Sequence, residues 1–157
     1  MKQIWAPWRT EYVRMKKPEG CILCKKPKED NDAPNYILYR GDKNFALMNK
    51  YPYSPGHLMV APYRHIANLE ELTNEEIGEH FEIVSQGVKL LRQVFNPDGF
   101  NIGINMGKVA GAGIDGHIHS HIVPRWRGDT NFMPIMSGTR VISEALAETY
   151  KKLKGKF

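Results

Sequence analysis

Only two cysteines occur in the 157 residues, which excludes a secreted scaffold held by several disulfides. No apolar run approaches the roughly 18 residues needed to span a bilayer, so no membrane segment is expected. The opening MKQIWAPWRTEY has one early lysine and no apolar h-region. No secretory signal is evident, and a reducing, cytoplasmic location is the expectation. Internal repeats and low-complexity tracts are lacking, which excludes solenoids and arrays. Charge of one sign is not in large excess: 22 Lys+Arg against 17 Asp+Glu leave +5. That bias favours an anionic partner, whether a phosphate ester, a nucleic acid or a membrane surface, and selects none of them. A dense Lys/Arg stripe and an RNA-recognition signature are both missing, which argues against nucleic acid.

What is present has a globular balance, 41% hydrophobic and 25% charged, at a length suited to one domain. Residues 1–35 read as an N-terminal arm, residues 36–133 as the core of the domain, and residues 134–157 as a C-terminal helix and basic tail. Strands are expected over 36–40, 44–49, 57–61, 100–106 and 117–123, with Pro62 and Pro124 ending the third and fifth. Thr73-Asn74-Glu75-Glu76 is a capping box. Ile77, Phe81, Val84, Val88, Leu91 and Phe95 follow it at helical spacing and predict one long amphipathic helix, closed by Asn96-Pro97-Asp98-Gly99. Val141, Ile142, Ala145, Leu146 and Tyr150 suggest the C-terminal helix. The predicted class is α+β, with a mostly antiparallel five-stranded sheet, one long helix and a C-terminal helix.

The chemistry concentrates in His117-Ile118-His119-Ser120-His121-Ile122-Val123. In a strand, alternate side chains share a face, so the three imidazoles would line one surface at intervals of roughly 6.6 Å. Three imidazoles suit zinc, but ligands along one strand converge only with a strong twist. The sharper reading is nucleophilic catalysis. A neutral imidazole attacks phosphorus with one nitrogen while the other donates to a carbonyl, and its neighbours bind anionic oxygens or protonate a leaving group. The loop over 107–116, with four glycines, can bring backbone N–H groups close to phosphate. Lys108, Arg125 and Arg127 either offset substrate charge or are solvated surface charges. Cys21 and Cys24 form a C-x-x-C pair, either half of a zinc site or a redox pair, with His65 as a further candidate ligand. His80, inside the long helix, reads as a surface or packing residue.

The run HIHSHIV, with FALMNKYPYSPGHLMVAP before it and FNIGINMGKVAGAGIDGHIHSHIVPRWRGDTNFMP around it, resembles the histidine triad family. The likeness is to its fragile-histidine-triad and diadenosine tetraphosphate phosphorylase-like branch, over about residues 36–133. It implies the histidine triad fold and cleavage of dinucleoside polyphosphates at the α-phosphate, through a nucleotidyl-histidine intermediate, by hydrolysis or phosphorolysis. The alternatives are a nucleoside phosphoramidase or a non-catalytic nucleotide- or RNA-binding module. By the same resemblance His119 is the nucleophile, His121 contacts the α-phosphate and His117 supports the array. Asn49, His57 and Asn105 bind substrate, with Gly111 and Gly113 around the phosphates. Ser120, where an apolar residue is usual, is expected to point away from the triad face and to be available to a phosphate oxygen. The resemblance also implies a structural zinc held by Cys21, Cys24, His65 and His117, and a homodimer built on the long helix and a sheet edge.

Overall fold

Short runs of apolar and β-branched residues form five strands: β1 (Ile37–Arg40), β2 (Asn44–Met48), β3 (Leu58–Pro62), β4 (Gly99–Ile104) and β5 (Ser120–Arg125). The computed structural model describes residues 20–129 and 145–156. The strands make one sheet in the order β1-β2-β3-β5-β4, and every neighbouring pair is antiparallel. This is the α+β class that the sequence implies. Trp5, Trp8, Val141 and Ile142, and the boundary near residue 133, lie outside the described residues.

Every residue of β2 and β3 is buried, because both faces of the sheet centre are covered. On one face the long helix α1 (Asn74–Phe95) packs over Ala46, Met48, Leu58, Val60 and Ile122. The C-terminal helix α2 (Leu146–Leu153) adds Tyr150 and Leu153 to the same core, and Tyr150 Oη donates to the Ile37 carbonyl. On the other face Leu23, from a helical turn at Ile22–Lys25, closes a second cluster with Ile37, Phe45, Leu47, Met59 and Ala61. The N-terminal segment is therefore a cover for the sheet face opposite α1.

Helix α1 starts as its sequence dictates. Thr73 Oγ1 accepts the Glu76 N–H, and the Glu76 carboxylate accepts the Thr73 N–H at 2.8 Å. Its buried stripe differs from the expected one. Glu76, His80, Ile83, Val84, Gly87, Leu90 and Leu91 face the sheet, while Phe81 is 50% exposed. Polar Glu76 and His80 occupy core-facing positions because each is hydrogen-bonded there, His80 to buried Asn44 and Ser120 and Glu76 to Arg64 and the Thr73 amide, so hydrophobicity alone turned the predicted face by about one residue. The Glu79 carboxylate reaches the β1–β2 turn and accepts the amides of Asp42, Lys43 and Asn44 at 2.6, 2.8 and 2.7 Å. A Cβ at residue 41 would lie 2.6 Å from Glu79 Oε1, so glycine is required for that approach.

Two prolines act differently from expectation. Pro62 is the last residue of β3 rather than the residue after it. Pairing with β5 runs only from Leu58↔Ile122 to Val60↔Ser120. Beyond it, the Pro62 carbonyl is taken by His117 Nε2 and the Ile118 N–H donates to Ile66, so β5 begins at Ser120 instead of 117. Pro124 sits inside β5, opposite Phe100 of β4. Its other side lies past the start of β3, where no ladder donor is needed, and Ser54 Oγ donates to its carbonyl there.

Candidate active site

The three alternating histidines do not form an even row. His119 and His121 flank Ser120 and share the face opposite α1, with ring centroids 4.8 Å apart and nearly perpendicular. The rings approach more closely than the roughly 6.6 Å backbone repeat of a strand, and His119 precedes the first residue of β5. His117 turns away toward the N-terminal cover. His57, fully buried just before β3, completes the cluster, with its ring 5.0 Å from that of His121.

Hydrogen bonds assign the protons. His119 Nδ1 lies 2.8 Å from the His117 carbonyl, which only accepts, so Nδ1 carries the hydrogen and Nε2 holds a free lone pair. The Tyr53 N–H donates to His57 Nδ1 at 3.1 Å. His57 Nε2–H therefore donates to His121 Nδ1 at 2.9 Å, and His121 keeps its proton on Nε2. The array thus sets an unprotonated nitrogen, His119 Nε2, beside a ring with a free N–H, His121. Burial lowers the pKa of His119, and burial followed by repulsion from His119 brings His121 to about 4. Both rings are neutral at pH 7.

Asn49 stands beside His57: its Oδ1 accepts the Tyr51 N–H and its Nδ2 lies 3.4 Å from His57 Nδ1. The Tyr53 ring stacks on His57 at 4.9 Å and remains 46% exposed, a wall of the site that sequence reasoning passed over. Asn105 follows β4 with its Nδ2 near Gly111, whose φ of +91° suits glycine. Gly113 lies on the same exposed loop. Of the expected cations, Arg125 pairs with Asp129 and donates to Asn101, Lys108 pairs with Asp115, and the Arg127 backbone amide donates to Asp98.

Ser120 and His80 depart most from expectation. Ser120 is 1% exposed and faces α1, so it is closed to a phosphate. Its Oγ lies 2.6 Å from His80 Nε2, and His80 Nδ1 lies 3.0 Å from Asn44 Oδ1. His80 is therefore a buried, doubly bonded residue; of the two roles expected for it, packing is the one found. Burial, then repulsion from His119, lowers its pKa to about 4. The signal was available: a polar side chain expected on the helix-facing side of β5 needs a polar partner on that helix.

Cys21, Cys24, His65 and His117 bring one ligand atom each to within 4.8 Å of one another. His117 Nδ1 lies 3.3 Å from Cys21 Sγ, 3.4 Å from Cys24 Sγ and 3.3 Å from His65 Nδ1. A tetrahedron with Zn–N and Zn–S bonds of about 2.0 and 2.3 Å has edges of roughly 3.3–3.8 Å, so the set fits zinc. His117 Nε2–H is tied to the Pro62 carbonyl, which leaves Nδ1 unprotonated toward the sulfurs.

An antiparallel sheet with an array of His57, His119 and His121 on one face, and a Cys–His cluster beyond the end of β3, defines a histidine-array protein. The model of the HIT domain matches residues 30–128, and the chain belongs to the histidine triad family. It is 35% identical to the AP-4-A phosphorylase of Mycobacterium tuberculosis, over 98% of this chain and 83% of that protein. It is 36% identical to the bis(5'-nucleosyl)-tetraphosphatase [asymmetrical] of Schizosaccharomyces pombe, over 59% of this chain and 50% of that protein. Among solved structures, a Zn-bound histidine triad family protein from Mycobacterium smegmatis superposes with a TM-score of 0.70 at 26% identity. That match covers 87% of this chain and 92% of the other.

Proposed function

We propose that the protein cleaves dinucleoside polyphosphates of the diadenosine tetraphosphate type at the α-phosphate. The observation that carries the reading is the tautomer of His119: Nδ1–H bound to the His117 carbonyl, Nε2 free and adjacent to His121. Similarity to a diadenosine tetraphosphate phosphorylase along nearly the whole chain supports the substrate class.

In the first step the Nε2 lone pair of His119 forms a bond to the α-phosphorus. The bond from that phosphorus to the bridging oxygen breaks, and the remaining nucleoside polyphosphate leaves with the electron pair. His121 Nε2–H donates to the phosphate oxygens as charge develops, and neutral rings spare the site an opposing proton equilibrium. In the second step an oxygen of water or phosphate attacks the nucleotidyl-histidine. The N–P bond breaks and His119 is regenerated. Water gives a nucleoside monophosphate and phosphate gives a diphosphate. Asn49, Asn105 and the loop carrying Gly111 and Gly113 are assigned to nucleotide binding.

Cys21, Cys24, His65 and His117 would hold zinc, whose contribution there is structural: it ties the N-terminal cover to the residue whose carbonyl orients His119. The protein is assigned to the cytoplasm and to a homodimer. Among the described residues no helix is long and apolar enough to cross a membrane. Phe81 on α1 and Ile102 on the edge strand β4 are half exposed, which supports association through that face.

The test is incubation with diadenosine tetraphosphate, with and without phosphate. AMP plus ATP in both conditions identifies a hydrolase. ADP plus ATP only with phosphate identifies a phosphorylase. Absence of product in both, or full activity of His119→Ala, overturns the reading.

A further inference from the structure

Behind the catalytic strand, on the face turned away from substrate, runs a buried polar chain that the proposed chemistry does not use. It begins at the Glu79 carboxylate, which accepts Asn44 Nδ2 at 2.9 Å besides the three turn amides. Asn44 Nδ2 also donates to the Glu76 carbonyl at 3.1 Å, so the amide is oriented with Oδ1 toward His80. That oxygen accepts from His80 Nδ1–H, which leaves His80 Nε2 as the acceptor for the Ser120 hydroxyl at 2.6 Å. Asn44 is 0% exposed, His80 2% and Ser120 1%, and no buried side-chain nitrogen or oxygen among the described residues lacks a partner.

We propose that His80 is a positioning residue of the reaction, acting through Ser120 to hold the backbone between His119 and His121; this rests on the reading of His119 as nucleophile. Ser120 is the residue at which β5 begins, and it alone separates the two active imidazoles. Its ladder partners Val60 and Ile104 hold it within the sheet plane. The His80 bond holds it along the normal to that plane, from the side opposite the rings. An aliphatic residue would fill this position without the desolvation cost of the three buried polar side chains Asn44, His80 and Ser120. What the chain adds is direction. A fully satisfied buried network fixes one arrangement where packing tolerates several. The 4.8 Å ring spacing depends on the peptide planes on both sides of Ser120. A shift of about 1 Å in a reacting group costs on the order of 10²-fold in rate.

The variants are Ser120→Ala, His80→Leu, the double variant, and His80→Gln, which keeps an acceptor for the Ser120 hydroxyl. Expected are a fall in kcat of about 10- to 100-fold for the first two, with KM nearly unchanged, because the residues assigned to nucleotide binding lie on the other face. His80→Gln restores most of kcat. The double variant is no slower than His80→Leu, the signature of one shared path. A role confined to stability would lower the melting temperature and leave kcat per folded molecule and the KM-to-kcat split unchanged. The deciding readout, independent of turnover, is the imidazole ¹⁵N and ¹H resonance of His119 Nδ1–H. Its displacement or broadening in Ser120→Ala and His80→Leu at a temperature where both are folded supports the proposal. An unchanged resonance overturns it. If the wild-type protein shows no turnover of diadenosine tetraphosphate, the functional reading fails and the resonance still decides the positioning role.

Discussion

His57 Nε2 lies 2.9 Å from His121 Nδ1, and because the Tyr53 amide occupies the far nitrogen of His57, the proton between the two rings belongs to His57. The backbone of the Tyr53–His57 turn thereby sets which nitrogen of His121 carries the hydrogen, the one that in the proposed reaction donates to the phosphate. Replacing His57 by Phe keeps the ring and removes the donor. His121 is then free to place its proton on Nδ1 and present a lone pair to an anion. The expected result is a fall in kcat of about 10²-fold, at the lower end of what a proton-donating group contributes. His57→Gln, which keeps a donor, is expected to lie between Phe and wild type. Steady-state kinetics with diadenosine tetraphosphate measures both.

His80 gives a pH dependence of stability whose sign follows from its lowered pKa. Its folded pKa is about 4, below the ordinary 6.5, chiefly because of burial. Above pH 6.5 the ring is neutral in both folded and unfolded chains, and its contribution is fully present. As pH falls from 6.5 toward 4, the unfolded chain takes up the proton first and stability is lost. The loss approaches on the order of 3 kcal/mol at the acid end of that window. Glu76 and Glu79 have carboxylate pKa values lowered from 4.5 and add to the loss chiefly below that value. Urea denaturation at pH 7.0, 5.5 and 4.5 should show a steeper decline for wild type than for His80→Gln. Parallel declines would contradict the assignment.

The parts of this structure that were legible in sequence are those in which local chemistry and global fold agree. Thr73-Asn74-Glu75-Glu76 had to be a helix start, and the alternating histidines had to bring His119 and His121 to one face. The C-x-x-C pair with His65 and His117 was legible only through the family resemblance, since nothing local links residues 21 and 117. The polar core escaped for a physical reason. Glu76 and His80 count as surface residues in any hydrophobic pattern, and their partners Arg64, Asn44 and Ser120 are distant in sequence. The start of β5 escaped as well, because it depends on what the Pro62 carbonyl binds.

The four-ligand cluster makes a metal content measurable apart from activity. Purified protein is expected to carry about one zinc per chain, and Cys24→Ser to carry far less. Removing the proposed zinc would free the segment around Leu23, which covers the sheet face carrying Phe45 and Met59. A loss of about 2 kcal/mol would lower Tm by roughly 4–8 °C in a chain of this size. Metal analysis with calorimetry before and after chelation tests this. Substoichiometric zinc together with an unchanged Tm would remove the structural role.

The remaining exposed apolar surface bears on assembly. Ile102 on β4 pairs with Ile122, whose side chain is buried under α1, so Ile102 also projects on the helix side of the sheet. Phe81 of α1 belongs to the same layer, and each is about half exposed. β4 is at the end of the strand order, and an edge strand carrying an uncovered isoleucine invites pairing with another chain. A charge on that edge opposes association both by desolvation and, in a two-fold dimer, by facing its own copy. Ile102→Asp is therefore expected to shift the protein from dimer to monomer in light scattering at micromolar concentration, and Phe81→Glu to weaken the dimer. If the wild-type protein is the proposed dimer, its melting temperature rises with protein concentration, and that of Ile102→Asp becomes independent of it. A wild-type protein that is monomeric at 50 to 100 micromolar, or an Ile102→Asp variant that remains dimeric, would place the interface elsewhere or remove it.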